Sequence, residues 1–319
     1  MKVLIIKLGA LGDVIISTAI VKQIMEHHAN DDVYLLTTPP FSNLFSRFKN
    51  LRIFAFERNG IGNKIKTICW IREHKFDRLY DLQSNDRTGF FSAFSGIPYR
   101  AGNHPRYPYN KHPKTNYKGE CHSFDRLNQI IQSADIQPAK PLPYLPIPDE
   151  VTNSMARWLG EHGLEQGNFV LLHAGSSKKH LNKRWPHFEQ LALLLAKSLN
   201  IVWLGGEDDV EINKQLSKSV GINTTHAFKI LDLVALGKNA KFAITNDSAP
   251  MHILSCSQIP VFGLFGPTYP RRTHALGQLD NVISANKIMA TNDSEFKPAN
   301  ISEISIDMVL DKLKMHQLI

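Results

Sequence analysis

Short, almost unbroken apolar runs alternate along the chain with stretches in which apolar residues recur every three or four positions. Val3–Lys7 is such a run, and a helical pattern follows from about Val14 to His27. Phe169–His173 repeats the arrangement, with a helix expected from about Pro186 to Leu199. A strand that is apolar throughout needs cover on both of its faces, which antiparallel surface sheets do not provide and parallel sheets flanked by helices do. Further strands are predicted at Val33–Thr37, Arg52–Phe56, Arg78–Asp81, Ile201–Leu204, Lys241–Thr245 and Pro260–Phe265, and helices at Ile61–His74, Val151–His162 and Ile306–Met315. The packing of the last helix is left open. This alternation predicts an α/β protein of two doubly wound, Rossmann-like parallel sheets.

Length agrees with two domains, since 319 residues exceed a single typical domain. Five prolines fall within Pro138–Pro148, which therefore reads as the linker between residues 1–148 and 149–319. The net charge of +8 is unevenly placed, with 20 Lys/Arg against 14 Asp/Glu in residues 1–150 and 17 against 15 beyond. A basic first half suits an anionic partner, whether nucleic acid, a phospholipid surface or a phosphorylated glycolipid. Cys69, Cys121 and Cys256 lack metal-site or disulfide spacing and are expected to be reduced and mostly buried. No apolar run is long enough to span a bilayer, and Met1–Ile6 has no signal-peptide architecture, so a cytoplasmic location is expected.

Four segments carry candidate chemistry. Lys7-Leu-Gly-Ala-Leu-Gly-Asp13 follows the first strand. Gly9 and Gly12 allow a tight turn, and Asp13 is either an ordinary helix cap or a working carboxylate. The glycine spacing is not that of a dinucleotide fingerprint, so an NAD site is a poor fit. His173–Pro186 runs from a strand into a loop rich in hydroxyls and cations, where Ser176, Ser177 and Lys183 would hold a diphosphate. Thr245–His252 ends a strand and opens a helix, with Asp247 or Ser248 as the cap and Pro250 in the first turn. Phe265–Thr273 turns the chain at Gly266-Pro267 and offers Thr268 and two arginines. A fifth stretch, Tyr99–Arg126, interleaves Arg100, Arg106, Lys111, Lys114, Lys118 and Arg126 with Tyr99, Tyr107, Tyr109 and Tyr117, against Glu120 and Asp125. It reads either as an acceptor loop gripping phosphates and sugar rings or as a mobile, solvated surface loop.

The four segments, in this order and spacing, resemble glycosyltransferase family 9, the heptosyltransferase family. The family opening K-x-G-x-x-G-D matches Lys7–Asp13, H-A-x-S/T-S/T matches His173–Ser177, K-x-W-P matches Lys183–Pro186, T-x-D-S/T-G-x-x-H matches Thr245–His252, and G-P-T-x-P-x-R matches Gly266–Arg272. The resemblance implies a GT-B fold with two lobes facing across a cleft, the first binding acceptor and the second binding donor. It implies an inverting, metal-independent transfer of heptose from ADP-heptose to a lipopolysaccharide core acceptor, a Kdo/heptose–lipid A glycolipid, with Asp13 as general base. Lys183, Ser176, Ser177 and the amides near Ser248 and Ala249 would neutralise the leaving diphosphate. Asp247 would contact the donor sugar, Asp209 or its neighbour Glu207 the nucleotide ribose, and His252 would complete the donor motif. Lys7, Gly12, Arg100, Arg106 and Arg126 are the acceptor-side candidates. Neither cofactor, metal nor nucleic acid is expected, and an anionic glycolipid acceptor would bring peripheral contact with the cytoplasmic face of the inner membrane.

Three positions depart from the family pattern: Ala249 replaces a glycine, Glu207 replaces a proline, and the cysteine pair expected within Ser284–Ile301 is missing. Another nucleotide sugar such as a UDP-hexose therefore stays open as the donor, as does a non-catalytic protein that binds nucleotides or nucleic acid.

Overall fold

A computed structural model describes residues 1–57, 60–114, 121–286 and 296–319. The chain divides into two compact units, Met1–Pro146 and Ile147–Ile319, the change falling within the proline-rich stretch.

Unit 1 runs β1 (Lys2–Ile6), α1 (Leu11–His27), β2 (Asp32–Thr37), α2 (Pro39–Phe45), β3 (Leu51–Ala55), α3 (Ile61–His74), β4 (Arg78–Asp81), α4 (Asp86–Phe94), β5 (Tyr99–Ala101) and α5 (Ser123–Gln132). Its strands lie in the order β3-β2-β1-β4-β5, and every pairing is parallel. In β1 the residues Val3 to Ile6 are all fully buried, as the unbroken apolar run requires. Leu4, Ile6, Leu36, Leu79 and Phe91 form the core on one side of the sheet.

Unit 2 runs α6 (Asp149–Glu161), β6 (Phe169–His173), α7 (Phe188–Leu195), β7 (Asn200–Trp203), α8 (Val210–Ser219), β8 (Ile222–Asn223), α9 (Ile230–Gly237), β9 (Phe242–Asn246), α10 (Ala249–Ser255), β10 (Val261–Phe265), α11 (Pro270–Thr273), β11 (Val282–Ser284) and α12 (Ile306–Met315). The strand order β11-β10-β9-β6-β7-β8 is again wholly parallel. Separate apolar clusters cover the two faces, one built around Trp185, Phe188 and Phe262, the other around Leu171, Met251 and Phe265. The last helix packs into the first cluster through Val309 and Leu313.

Two expectations need correction. Asp13 does not cap α1: Ala10 is the N-cap, and Asp13 is the third residue of the helix. Gly9, at φ +137°, turns the chain early enough for the helix to begin at Leu11. The cysteines are also less buried than expected, since Cys69 is exposed and Cys121 half-buried, while Cys256 alone is buried. Among the described residues no helix is long and apolar enough to cross a membrane.

Candidate functional site

In an open parallel sheet the carboxyl ends of the strands, with the loops that leave them, form the natural crevice. In unit 2 that crevice is a cavity of about 480 Å³ lined by His173, Ser176, Ser177, His180, Lys183, Gly206, Glu207, Asp208, Asp209, Asp247, Ser248, Ala249 and Pro250. Three strand ends meet there. β6 ends at His173, β7 leads to Gly206 and the helical turn Glu207–Asp209, and β9 leads to Asp247.

The floor is a network of buried polar groups. Asp209 accepts from the Gly206 amide at 3.0 Å and faces His173 Nε2 at 3.3 Å and Arg184 at 3.6 Å. A carboxylate can only accept, so Nε2 carries the proton shared with Asp209, and the Ser248 hydroxyl pairs with Nδ1 on the other side of the ring, 3.2 Å away. Ser248 therefore occupies the N-cap position of α10 without capping it through its side chain. Burial works to raise the Asp209 carboxyl, but the hydrogen bond and charge of His173, the Gly206 amide and Arg184 prevail and hold it below the usual carboxylate range. Gly175 makes room for this arrangement, because a Cβ built there would stand 1.8 Å from Asp209 Oδ1.

Lys183 donates to Asp247 Oδ2 at 2.6 Å, and the Thr268 hydroxyl donates to the same oxygen at 2.8 Å. The pair is largely withdrawn from solvent, the side chains being 19% and 8% exposed. Asn246 fastens the diphosphate-loop candidate to the sheet: its amide donates to the Ala174 and Gly175 carbonyls, and its oxygen accepts from the Trp185 amide. Arg184 adds bonds of 2.9 Å to the Ser176 and Asp208 carbonyls. Nearly all the donor-side candidates thus come together. The exception is His252, which is buried within α10 and is not part of the cavity lining. Glu207 stands at the rim, its side chain 88% exposed and 3.7 Å from His226.

In unit 1 the strand ends gather a second charged group. Lys7 is buried, with its ammonium 3.4 Å from the Leu82 carbonyl. Burial lowers its pKa to about 8, aided by Arg126 and opposed by Asp13 and Asp81. Those four residues therefore share one electrostatic environment. Asp81, fully buried at the end of β4, accepts from the Ser84 amide at 2.7 Å and from the Tyr109 hydroxyl at 2.5 Å. Burial pushes the Asp81 carboxyl up despite these bonds, and it pushes the Tyr109 hydroxyl up as well. Tyr109 packs on Gly102, where a Cβ would lie 2.5 Å from the ring.

The Tyr99–Arg126 stretch is divided between structure and surface. The Arg100 guanidinium donates to the Pro108 and Ile97 carbonyls, so it holds the loop together. Lys111 sits 5.6 Å from the Tyr99 ring centre and 3.6 Å from Asp135. Arg106 and Lys114 are exposed, while Tyr117, Lys118 and Glu120 lie outside the described residues. Sequence reasoning missed Arg184, Asn246 and Asp81. A polar residue directly at the end of a buried strand was the available signal for the last two; Arg184 was hidden among the cations of its loop.

The model of glycosyltransferase family 9 (heptosyltransferase) matches residues 66–300. The chain belongs to glycosyltransferase family 9. It is a glycosyltransferase, and its two parallel-sheet units are those of the GT-B fold. It is 21% identical to lipooligosaccharide heptosyltransferase 2 of Haemophilus influenzae over 98% of both chains. A family 9 glycosyltransferase from Veillonella parvula superposes with a TM-score of 0.82 at 21% identity, covering 98% of this chain and 96% of that one. The ADP-heptose lipopolysaccharide heptosyltransferase II of Escherichia coli gives 0.76 at 21% identity, over 99% and 98% of the two chains. The heptosyltransferase WaaC of the same organism, solved with ADP, gives 0.70 at 15% identity, over 99% and 98%.

Proposed function

We propose that this glycosyltransferase moves heptose from ADP-heptose to the core of a lipopolysaccharide, by single displacement with inversion. The observation that carries the reading is the unit 2 cavity, which sets Lys183, Ser176, Ser177 and Ser248 around one space at the carboxyl edge of a parallel sheet. A diphosphate fits that chemistry, and the structural relatives named for ADP-heptose or solved with ADP support the choice of nucleotide.

In this reading unit 2 holds the donor. Lys183 and the serine hydroxyls neutralise the departing ADP, and Asp247 keeps the Lys183 ammonium in place while its carboxylate addresses the sugar. Glu207 accepts from the ribose hydroxyls, because its oxygens face solvent. Asp209 acts one step back, orienting His173 and through it Ser248. Unit 1 holds the acceptor and supplies the base. Asp13 takes the proton of the acceptor hydroxyl, that oxygen bonds to the anomeric carbon, and the bond from that carbon to the diphosphate oxygen breaks. Lys7, Arg126 and the exposed Arg106 favour an acceptor bearing negative charge. No step of this displacement calls for a metal or a further cofactor. The location that follows is cytoplasmic, at the membrane surface where a lipid-linked acceptor resides.

Calorimetry with ADP, UDP and GDP tests the donor, and ADP release with and without a core glycolipid tests the reaction. ADP should bind at least tenfold more tightly than UDP, and Asp13→Ala should lose turnover by more than a hundredfold while keeping its ADP affinity. Preferred binding of UDP would redirect the reading to a UDP-hexose, and retained turnover in Asp13→Ala would remove Asp13 as the base.

A further inference from the structure

We infer that one face of unit 1, formed by α3, α4 and Tyr107, docks on an anionic phospholipid surface. On α3 the residues Ile61, Ile65, Ile68 and Arg72 fall on a single stripe at spacings of four, three and four. Ile61 is 75% exposed and Ile65 55%. On α4, Phe90 and Phe94 are both close to half exposed, with their rings 4.7 Å apart. Tyr107 donates its hydroxyl to the Ala93 carbonyl at 3.0 Å, which lays its ring beside α4. Arg72 Nε donates to the Phe94 carbonyl at 2.9 Å and joins the ends of the two helices. The five large apolar side chains thus belong to one continuous surface, whereas isolated exposed residues elsewhere need no explanation.

Cations accompany them. Lys64 and Lys66 lie on α3, Arg87 on α4 and Arg106 beside Tyr107, and none of the four is ion-paired among the described residues. The two helices contribute Glu73 and Asp86 as their acids. Isoleucine and aromatic side chains surrounded by lysine and arginine match the boundary between acyl chains and anionic headgroups, where neither signal suffices alone. The charge also decides between occupants. A second copy of the chain docking here would bring cations against cations, whereas an anionic bilayer complements them.

The placement deepens the acceptor reading, on which it rests for its purpose. α3 and α4 follow β3 and β4, so both helices begin at the carboxyl edge of the sheet, the edge that carries Lys7 and Asp13. Docking along this face presents that edge to a glycolipid within its own membrane.

Flotation of the full chain with large unilamellar vesicles tests the inference without any acceptor present. Vesicles of three parts phosphatidylethanolamine to one part phosphatidylglycerol should bind at least tenfold better than phosphatidylcholine, and the difference should shrink as NaCl rises from 50 to 300 mM. Ile61→Ser/Ile65→Ser alters the two exposed isoleucines of α3, so the fold should survive and partitioning should drop at least tenfold. Lys64→Gln/Lys66→Gln should do the same, since each basic residue near the surface contributes roughly fivefold. Calorimetric ADP affinity and transfer to a detergent-dispersed acceptor should stay unchanged in both variants, which separates this surface from the proposed reaction. Equal binding to both vesicle types, unchanged binding by both variants, or a dimer in light scattering that the isoleucine variant dissolves would each overturn the inference.

Discussion

Replacing Gly175 by alanine probes the floor of the unit 2 cavity with a single methyl group. The new Cβ would stand 1.8 Å from Asp209 Oδ1, 2.3 Å from its Cγ and 2.8 Å from Oδ2. No van der Waals contact survives at such distances, so either the carboxylate or the loop must move. Asp209 is poorly able to yield. It is bound to the Gly206 amide at 3.0 Å and to His173 at 3.3 Å, and its side chain is 8% exposed. The loop is no freer, because the Gly175 carbonyl accepts from Asn246 at 3.0 Å. Overpacking a rigid site costs about 1–3 kcal/mol. Losing one hydrogen bond to a charged group adds about 1.5–3 kcal/mol. We therefore expect Gly175→Ala to cost at least ~3 kcal/mol, which lowers the melting temperature of a unit of this size by roughly 6–12 °C.

The affinity for ADP, measured by calorimetry, should weaken at least tenfold, since His173 and Ser248 lose the group that orients them. The double-mutant cycle with Asp209→Ala isolates the cause. With the carboxylate gone, Gly175→Ala should cost less than about 1 kcal/mol. If differential scanning calorimetry finds the same penalty in both backgrounds, or a shift under 2 °C in the single variant, the steric argument fails.

Two further outcomes follow from the buried polar groups. Below pH 8 both folded and unfolded chains protonate Lys7, so the cost of burying its charge is fully present; between about 8 and the unfolded value of 10.5 the folded chain alone has shed the proton, and stability from this group rises by about 3 kcal/mol. The stability of Lys7→Met relative to the natural chain, from urea unfolding of both, should accordingly fall by that amount between pH 7 and 10.5, and a difference that does not change with pH would show that Lys7 keeps an ordinary pKa. Asn246→Ala strips partners from two carbonyls and one amide at a fully buried position, so unit 2 should lose about 3 kcal/mol and melt roughly 6–12 °C lower by calorimetry.

The parallel sheets were legible because burial on both faces leaves a plain mark in sequence. Val3–Ile6 and Phe169–His173 are apolar without alternation, and both lie at the centre of a sheet. The edge strands β5, β8 and β11 were not legible, being two or three residues long and too short to show any period. Helix starts were blurred for a related reason: Pro186 suggested a first turn, yet α7 opens at Phe188 after Trp185 has entered the core. The candidate site divides along the same line. Spacing relative to a strand end marked Lys183, Asp247 and Ser248 as neighbours of the crevice, since strand ends are where such residues converge. It carried no trace of which polar groups satisfy one another, because that depends on contacts between distant segments. Glu207 and Asp209 make the point. They are two carboxylates in one helical turn and equivalent as letters, but Gly175, Gly206, His173 and Arg184 enclose one while the other extends into solvent. A ligand hydroxyl can approach the second without displacing anything, and reaching the first would require breaking the floor on which His173 and Ser248 depend.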